Sequence, residues 1–277
     1  MSVGLSSLKS AQTHRRFAKS ASAPASNFGP PFLFDSVEQH CDPPQKRGRA
    51  LSAPRKKAAA LQRRWTRSVA QARLLQEQLH RLVVTDDRLG EVRRVAGVDA
   101  HYGAGQVWAA VVVMSFPDLA VVESALVHRA ITFPYVPSLL SFREAPATLE
   151  ALHRLSKKPD LLLVDGQGLA HPRRFGLACH VGVLSDTPTI GVAKSRLVGT
   201  YQEPGIKRGA WSPLVDRGET IGAALRTRDA VRPLFVSVGH RVSLKTAIKF
   251  VLHCAGRYRL PEPLRAADRL SRQHSES

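Results

Sequence analysis

The sequence predicts an α/β fold, a mixed central β-sheet (an antiparallel meander plus parallel strands) flanked by helices. Three observations carry that expectation. Between Arg94 and Arg129 three apolar runs follow one another with only short turns between them, which implies an antiparallel meander. A helical stretch then leads into the apolar run Leu161-Leu162-Leu163-Val164. A connection through a helix back to the same sheet favours a strand parallel to the first and near it. The length of 277 residues, 43% of them hydrophobic, suits one large domain or two small ones with a proper core.

Taken in order, residues 1–60 are rich in Ser, Ala, Pro and basic residues, hold no acidic residue before Asp35 and show no steady apolar period. That composition predicts a disordered extension preceding a folded domain over 61–277 whose last residues are again disordered. Arg15, Arg16 and Lys19 among serines also resemble an organelle transit peptide. A polyanion-binding arm or an upstream start codon are the other readings; disorder without a targeting role is preferred. There is no apolar core of a secretion signal, and a cytoplasmic location is expected.

From Leu61 the character changes. Leu61, Trp65, Val69, Ala72, Leu75, Leu79 and Leu82 recur at helical spacing and predict an amphipathic helix. Strands follow at Arg94–Tyr102, Val107–Phe116 and Ala120–Arg129, turned at Gly103-Ala104-Gly105 and Pro117-Asp118. In Phe133-Pro134-Tyr135-Val136-Pro137 two prolines fix a stiff, extended loop. Its Tyr135 either packs under the loop or stands out to stack on bases. Ser141-Phe142-Arg143-Glu144 comes just before a helix expected from about Pro146 to Ser156, so Glu144 lies near the positive end of a helix dipole. A strand ends at Asp165, a helix covers Leu177–Leu184 with Cys179 as a small apolar residue, and Thr189–Ala193 is a further strand. Tyr201–Ser212 reads as a loop, and Thr220–Arg226 and Pro233–Val238 as strands. Ser243 caps a helix reaching Ala255. Pro261 and Pro263 close the main ordered part, with one last short helix over Leu264–Leu270.

Charge narrows the partners. The formal net charge is +19, and residues 1–60 contribute ten Lys/Arg against three Asp/Glu, so the remainder keeps about +12. A folded part that is basic in its own right points to a polyanion, most simply nucleic acid. Cys41, Cys179 and Cys254 form no CxxC pair and no even framework, which fits a reducing compartment. No apolar run reaches the ~18 residues of a membrane span, so no membrane partner is expected.

The chemistry centres on Asp165-Gly166-Gln167-Gly168. A carboxylate at the exit of a buried strand is costly unless a metal, a cation or hydrogen bonds compensate it. The glycines allow a sharp turn and close approach to a ligand. An isolated Asp-Gly is equally a strand end with an Asx turn, and a lone mid-strand Asp99 is often just a hydrogen-bonded structural residue. The strand order changes that balance, because it can set Asp99 and Asp165 side by side with Glu144 arriving from the covering helix. Three converging carboxylates make sense chiefly as ligands of a hard divalent cation such as Mg²⁺. Beside nucleic acid, such a site reads as metal-assisted phosphodiester cleavage.

Val98-Asp99, Phe133-Pro134-Tyr135-Val136-Pro137, Ser141-Phe142-Arg143-Glu144, Asp165-Gly166-Gln167-Gly168, His171-Pro172-Arg173-Arg174, Gly191-Val192-Ala193-Lys194 and Gly239-His240-Arg241 occur together and in this order. The ordered set, covering roughly Leu61 to Leu270, resembles the endonuclease V family, nucleases that act at inosine, the deamination product of adenine. The resemblance implies a ribonuclease H-like fold and an acidic metal site of Asp99, Glu144 and Asp165, with Mg²⁺ as cofactor and Mn²⁺ as the alternative. It implies an active-site role for His240 and a phosphate contact for Lys194. It makes Tyr135, with Pro134 and Pro137, a wedge beside the lesion, and Leu139, Leu140, Gly166, Gly168 and His171 the pocket for an extruded hypoxanthine. The implied reaction is cleavage of the second phosphodiester 3′ to the lesion in DNA repair, leaving 3′-hydroxyl and 5′-phosphate ends. The expected partner is deoxyinosine-containing DNA, acted on by a monomer. Inosine-containing RNA is the alternative substrate, and a noncatalytic nucleic-acid-binding protein is the remote one. Gln167, Val136 and the long N-terminal extension depart from the family pattern.

Overall fold

The computed structural model describes residues 65–273; the expected disordered extension over 1–60 lies outside them. Thirteen elements follow in chain order: α1 (Val69–His80), β1 (Arg94–Gly103), β2 (Gln106–Ser115), β3 (Val121–Ala130), α2 (Ser141–Arg154), β4 (Leu161–Asp165), α3 (Leu177–Ser185), β5 (Thr189–Ala193), β6 (Trp211–Asp216), β7 (Glu219–Leu225), β8 (Leu234–His240), α4 (Leu244–Cys254) and α5 (Glu262–Gln273), counted among the described residues. The strands make one eight-stranded sheet in the order β3-β2-β1-β4-β5-β8-β7-β6. The meander β1-β2-β3 is antiparallel, and β4 and β5 run parallel to β1. The helix-linked return of β4 to the side of β1 is thus the one the chain order implied. Among the described residues no helix is long and apolar enough to cross a membrane.

The two faces of the sheet are read from side-chain parity, since successive residues of a strand point to opposite sides. Ala96, Val98, Leu162 and Val164 pack with Ala145, Ala147 and Ala151 of α2 and Leu177, Ala178 and Val181 of α3. Val95, Leu161 and Leu163 pack with Ala247, Ile248 and Val251 of α4 and Leu264 and Ala267 of α5. Gly97 belongs to this second face. A Cβ there would stand 1.9 Å from the carbonyl oxygen of Pro263, so only glycine lets the first turn of α5 lie against β1. Asp99 and Asp165 share the parity of Gly97 and Leu163, so both lie on the α5 side at the carboxyl ends of their strands.

Several boundaries differ from expectation. α1 begins at Val69, where the Ser68 side chain accepts from the Gln71 amide; Trp65 precedes the helix and packs edge-on against Phe142. α2 begins at Ser141, five residues before the proline taken as its start, and Pro146 lies inside it. Burial of Phe142 and Ala145 in the core outweighs the N-terminal preference of proline. β6 starts on Trp211 and Ser212, read as the end of a loop, and runs on through Pro213 to Asp216, where no strand was expected. β6 is an edge strand, the one kind of position where a missing N–H breaks no ladder. The last helix is longer than expected at both ends, taking Pro263 into its first turn. The cap of α4 is as expected: Ser243 Oγ accepts from the Thr246 amide at 3.2 Å.

Candidate active site

The register Val98↔Val164 puts Asp99 level with Asp165 across the parallel β1–β4 pair. On the same side α5 supplies a further carboxylate, Asp268, which accepts from Arg272 Nε at 3.0 Å. Glu144, in the first turn of α2, reaches the same strand ends from the opposite face and is 6% exposed. Lys194, just beyond β5, places its ammonium 2.6 Å from Asp165 Oδ2.

The electrostatics tie these groups into one cluster. Burial and then the charges of Asp165 and Asp268 push Asp99 up to about 7, against a pull downward from Lys194. Burial pushes Glu144 up to about 8, helped by Asp99 and Asp165 and opposed by its hydrogen bond from Tyr102. Burial also acts upward on Asp268, but Arg272, Lys194 and a hydrogen bond from Asp99 outweigh it and hold this carboxyl below its ordinary range. Lys194 is raised: its partial burial acts downward, and the bond to Asp165 with the charges of Asp99 and Asp268 overcomes that. Four carboxyls against Lys194, Arg143 and Arg272 still outnumber their cations, a crowding that a bound cation relieves.

Among the described residues no three His, Cys, Asp or Glu side chains stand in a ready cation-holding arrangement. The donors are engaged elsewhere: Lys194 takes Asp165, and the Tyr102 hydroxyl donates to Glu144 Oε1 at 2.7 Å. The donor set itself suits a hard divalent ion, being all carboxylate oxygen and mutually repulsive. Asp99, Asp165 and Asp268 are the residues that could hold it, with Glu144 closing from the other face. Arg265, Arg269, Arg272 and Gln273 line an open cavity of about 360 Å³ beside Asp268, a basic wall suited to phosphate.

Other expected site residues divide. Tyr135 is 74% exposed, with Pro134 and Pro137 exposed on either side of it, so the loop does hold its ring out. Leu140 is also exposed, at 37%. Leu139 is not available to line a pocket: it is buried with Ala72, Phe133 and Phe142. His171 is buried as well, its Nε2 2.8 Å from the Ser138 carbonyl, which Arg173 also contacts at 3.1 Å. Its place is to clamp the end of the Tyr135 loop. The amides of Gly166 and Gly168 are already spent, donating to Val192 O at 3.1 Å and Ser237 Oγ at 2.8 Å. Gly168 is there for packing, since a Cβ would meet Val238 O at 2.0 Å. Gln167 instead carries an unpartnered group: its Nε2 donates to Ser195 O at 3.0 Å, while its buried Oε1 has no partner.

His240 is the clear correction. It pairs with Thr189, at the start of β5, whereas Asp165 pairs with Val192 near its end. The separation is three residues, roughly 10 Å along the strands. His240 Nδ1 accepts from the Val84 amide at 3.3 Å and Nε2 faces Asp186 at 3.8 Å, so it joins loops at the far end of the sheet. Asp268 and Tyr102, which the motif reading missed, take their places in the cluster. The mid-strand Gly97 was the one available signal that a backbone packs closely beside Asp99.

The endonuclease V family model matches residues 77–269. The chain belongs to the endonuclease V family. An endonuclease V from Roseiflexus sp. (strain RS-1) is 58% identical over 207 residues, covering 75% of this chain and 93% of that protein. The crystal structure of an endonuclease V from Streptomyces avermitilis superposes with a TM-score of 0.74 at 44% identity, over 76% of this chain and 95% of that one. Ciona intestinalis endonuclease V, solved with a 24-mer DNA containing an inosine followed by a ribo-adenosine, gives a TM-score of 0.68 at 33% identity, over 75% and 98%. The endonuclease V match takes in all four carboxylates, Asp99, Glu144, Asp165 and Asp268, and the ribonuclease H-like expectation for the sheet holds.

Proposed function

We propose that this endonuclease V family member is a metal-dependent endonuclease. It recognises inosine in DNA and hydrolyses the second phosphodiester 3′ to it, leaving 3′-hydroxyl and 5′-phosphate ends. The observation that carries the reading is the convergence of Asp99, Asp165, Asp268 and Glu144 at one end of the β1–β4 pair, where burial and mutual repulsion raise Asp99 and Glu144 together. When bound, a divalent ion, Mg²⁺ or Mn²⁺, would supply Lewis-acid polarisation of the phosphate and a water of lowered pKa.

The protein's own groups do the rest. The carboxylates define the point where the cut is made. Lys194, half exposed and bonded to Asp165, is poised to exchange that partner for a backbone phosphate as the strand enters. The arginines of α5 supply a cationic wall, so affinity falls as salt rises. Tyr135, held out between two prolines and clamped through Ser138, serves as the wedge beside the lesion. The Oε1 of Gln167 is buried and unpartnered; once uncovered it would suit a donor, and hypoxanthine offers N1–H where adenine has only an acceptor. The DNA of the Ciona relative, with its inosine, supports the substrate class.

Incubating duplex DNA carrying a single inosine with protein and Mg²⁺ tests this. Nicking at the second bond 3′ to inosine, absent with the adenine control and with EDTA, is expected. Metal-independent nicking, or equal nicking of the control, overturns it. The ribo-adenosine after inosine in the Ciona complex favours one second reading, cleavage of inosine-containing RNA by the same site. A requirement for a 2′-hydroxyl next to the lesion distinguishes it.

A further inference from the structure

Tyr102 touches the most buried carboxylate of the cluster. It stands on β1 three residues after Asp99, facing α2, and its hydroxyl donates to Glu144 Oε1 at 2.7 Å. Among the described residues no neighbour donates to Glu144 Oε2, so the tyrosine fixes one oxygen and leaves the other open. Arg143, adjacent to Glu144 on α2, lies with its guanidinium carbon 4.8 Å from the centre of the Tyr102 ring and 5.8 Å from that of Tyr135. Its Nε is buried without a partner, while a side-chain hydrogen bond to Tyr102 and the charge of Glu144 hold the guanidinium against the first ring.

We propose that Tyr102 is the positioning residue for Glu144, and that Arg143, stacked between Tyr102 and Tyr135, links the exposed wedge to the metal-binding carboxylate. The inference rests on the nuclease reading for Glu144 and Tyr135. Three features make the link physical. A carboxylate that ligates a cation keeps its direction only if its other oxygen is held, and such outer partners matter by about 10- to 100-fold in metal affinity or activity. Glu144 has one holder, Tyr102. The ring of that holder and the ring of Tyr135 share a single cation between them, so movement of Tyr135 into a duplex disturbs the stack that seats Tyr102.

The test uses the whole chain and Mn²⁺ as probe, with free Mn²⁺ followed by electron paramagnetic resonance in the absence of nucleic acid. Tyr102→Phe removes only the hydroxyl and is expected to weaken Mn²⁺ binding by about 10-fold or more. In a Glu144→Gln background the same change should have no further effect, because Tyr102 acts through that carboxylate. Arg143→Lys, which keeps charge but loses the planar stack, should give a smaller loss in the same direction. On inosine-containing DNA, Tyr135→Ala and Tyr102→Phe should be less than multiplicative when combined. Unchanged Mn²⁺ binding in Tyr102→Phe, or an equal loss in the Glu144→Gln background, overturns the positioning role. Fully multiplicative effects on nicking overturn the link to Tyr135. A wild-type chain that fails to nick inosine-containing DNA defeats the nuclease reading instead, and the Mn²⁺ measurement still decides whether Tyr102 seats Glu144.

Discussion

The two ends of the central sheet both bury ionisable groups, and they treat them in opposite ways. At the carboxyl ends of β1 and β4, Asp99 is pushed up to about 7 and Glu144 to about 8, by burial and by each other's neighbours. At the far end, burial pushes His240 down to about 4, and its surroundings are settled: the Val84 amide on one nitrogen, Asp186 by the other, and Arg241 bonded to Asp186 at 2.8 Å. The far end is neutralised within the protein and knits loops together. The carboxylate end crowds four carboxyls together, and burial with mutual repulsion makes two of them hold their protons. On the proposed reading, the facing carboxyls are kept for a ligand, and the buried histidine with partners on both sides serves as scaffold.

The sharpest way to break this contrast is to remove one carboxylate. Asp165→Ala should lower nicking of inosine-containing DNA by more than about 100-fold, beyond the range of outer partners, while leaving the melting temperature unchanged or raised through lost repulsion. A large fall in melting temperature in calorimetry would make Asp165 scaffold. Gly97→Ala comes next. Its Cβ meets a backbone oxygen of α5, and overpacking of this kind costs about 3 kcal/mol; urea unfolding reads the loss, and activity should fall with it because Asp268 is displaced. His240→Ala should be the mirror of Asp165→Ala: nicking within about threefold of wild type at a temperature where the protein is folded, and stability reduced by about 1–3 kcal/mol as buried partners are left unpaired. A selective loss of nicking would return His240 to the active site.

The smallest effect is one of sign with pH. Asp99 and Glu144 have folded-state pKa values above their ordinary 3.8 and 4.5. The folded state therefore holds protons that the unfolded chain has released, and these groups make stability fall as pH rises from about 4 to about 8. His171 and His240 are lowered to about 4 and His180 to about 3, from 6.5. They act the other way: the unfolded chain binds the extra protons, so stability rises from their folded values up to about 6.5. Above 6.5 only the carboxylates remain, and metal-free protein should lose stability between pH 6.5 and 8. Asp99→Asn should flatten that decline, and Mg²⁺ should reduce it. Melting temperatures measured in EDTA across this window decide the matter.

Much of the architecture could be read from residue order, because strand and helix periodicities are local properties. The meander, the apolar strand ending at Asp165 and the Ser243 cap all follow from neighbours along the chain, and so did the pairing of Asp99 with Asp165 through the helix-linked return of β4. The N-terminus of α2 and the strand β6 were not legible: Pro146 argued locally for a helix start that core packing overruled, and the Pro, Gly and basic residues of Tyr201–Ser212, read as a loop, hid a strand formed by pairing with β7. Within the site, the motifs pointed to Tyr135, which stands exposed as expected. They misplaced Leu139, whose burial depends on Phe133 and Phe142 arriving from either side.

The sequence by itself determined that a basic α/β chain carries carboxylates at strand ends, and which nuclease family it resembles, because composition, periodicity and ordered motifs survive without coordinates. Only the tertiary structure decided that Asp268 rather than His240 joins Asp99 and Asp165, and that Tyr102 holds Glu144. Those choices depend on which face of a strand a helix covers and on a glycine narrow enough to admit it, and such contacts link residues far apart in the chain.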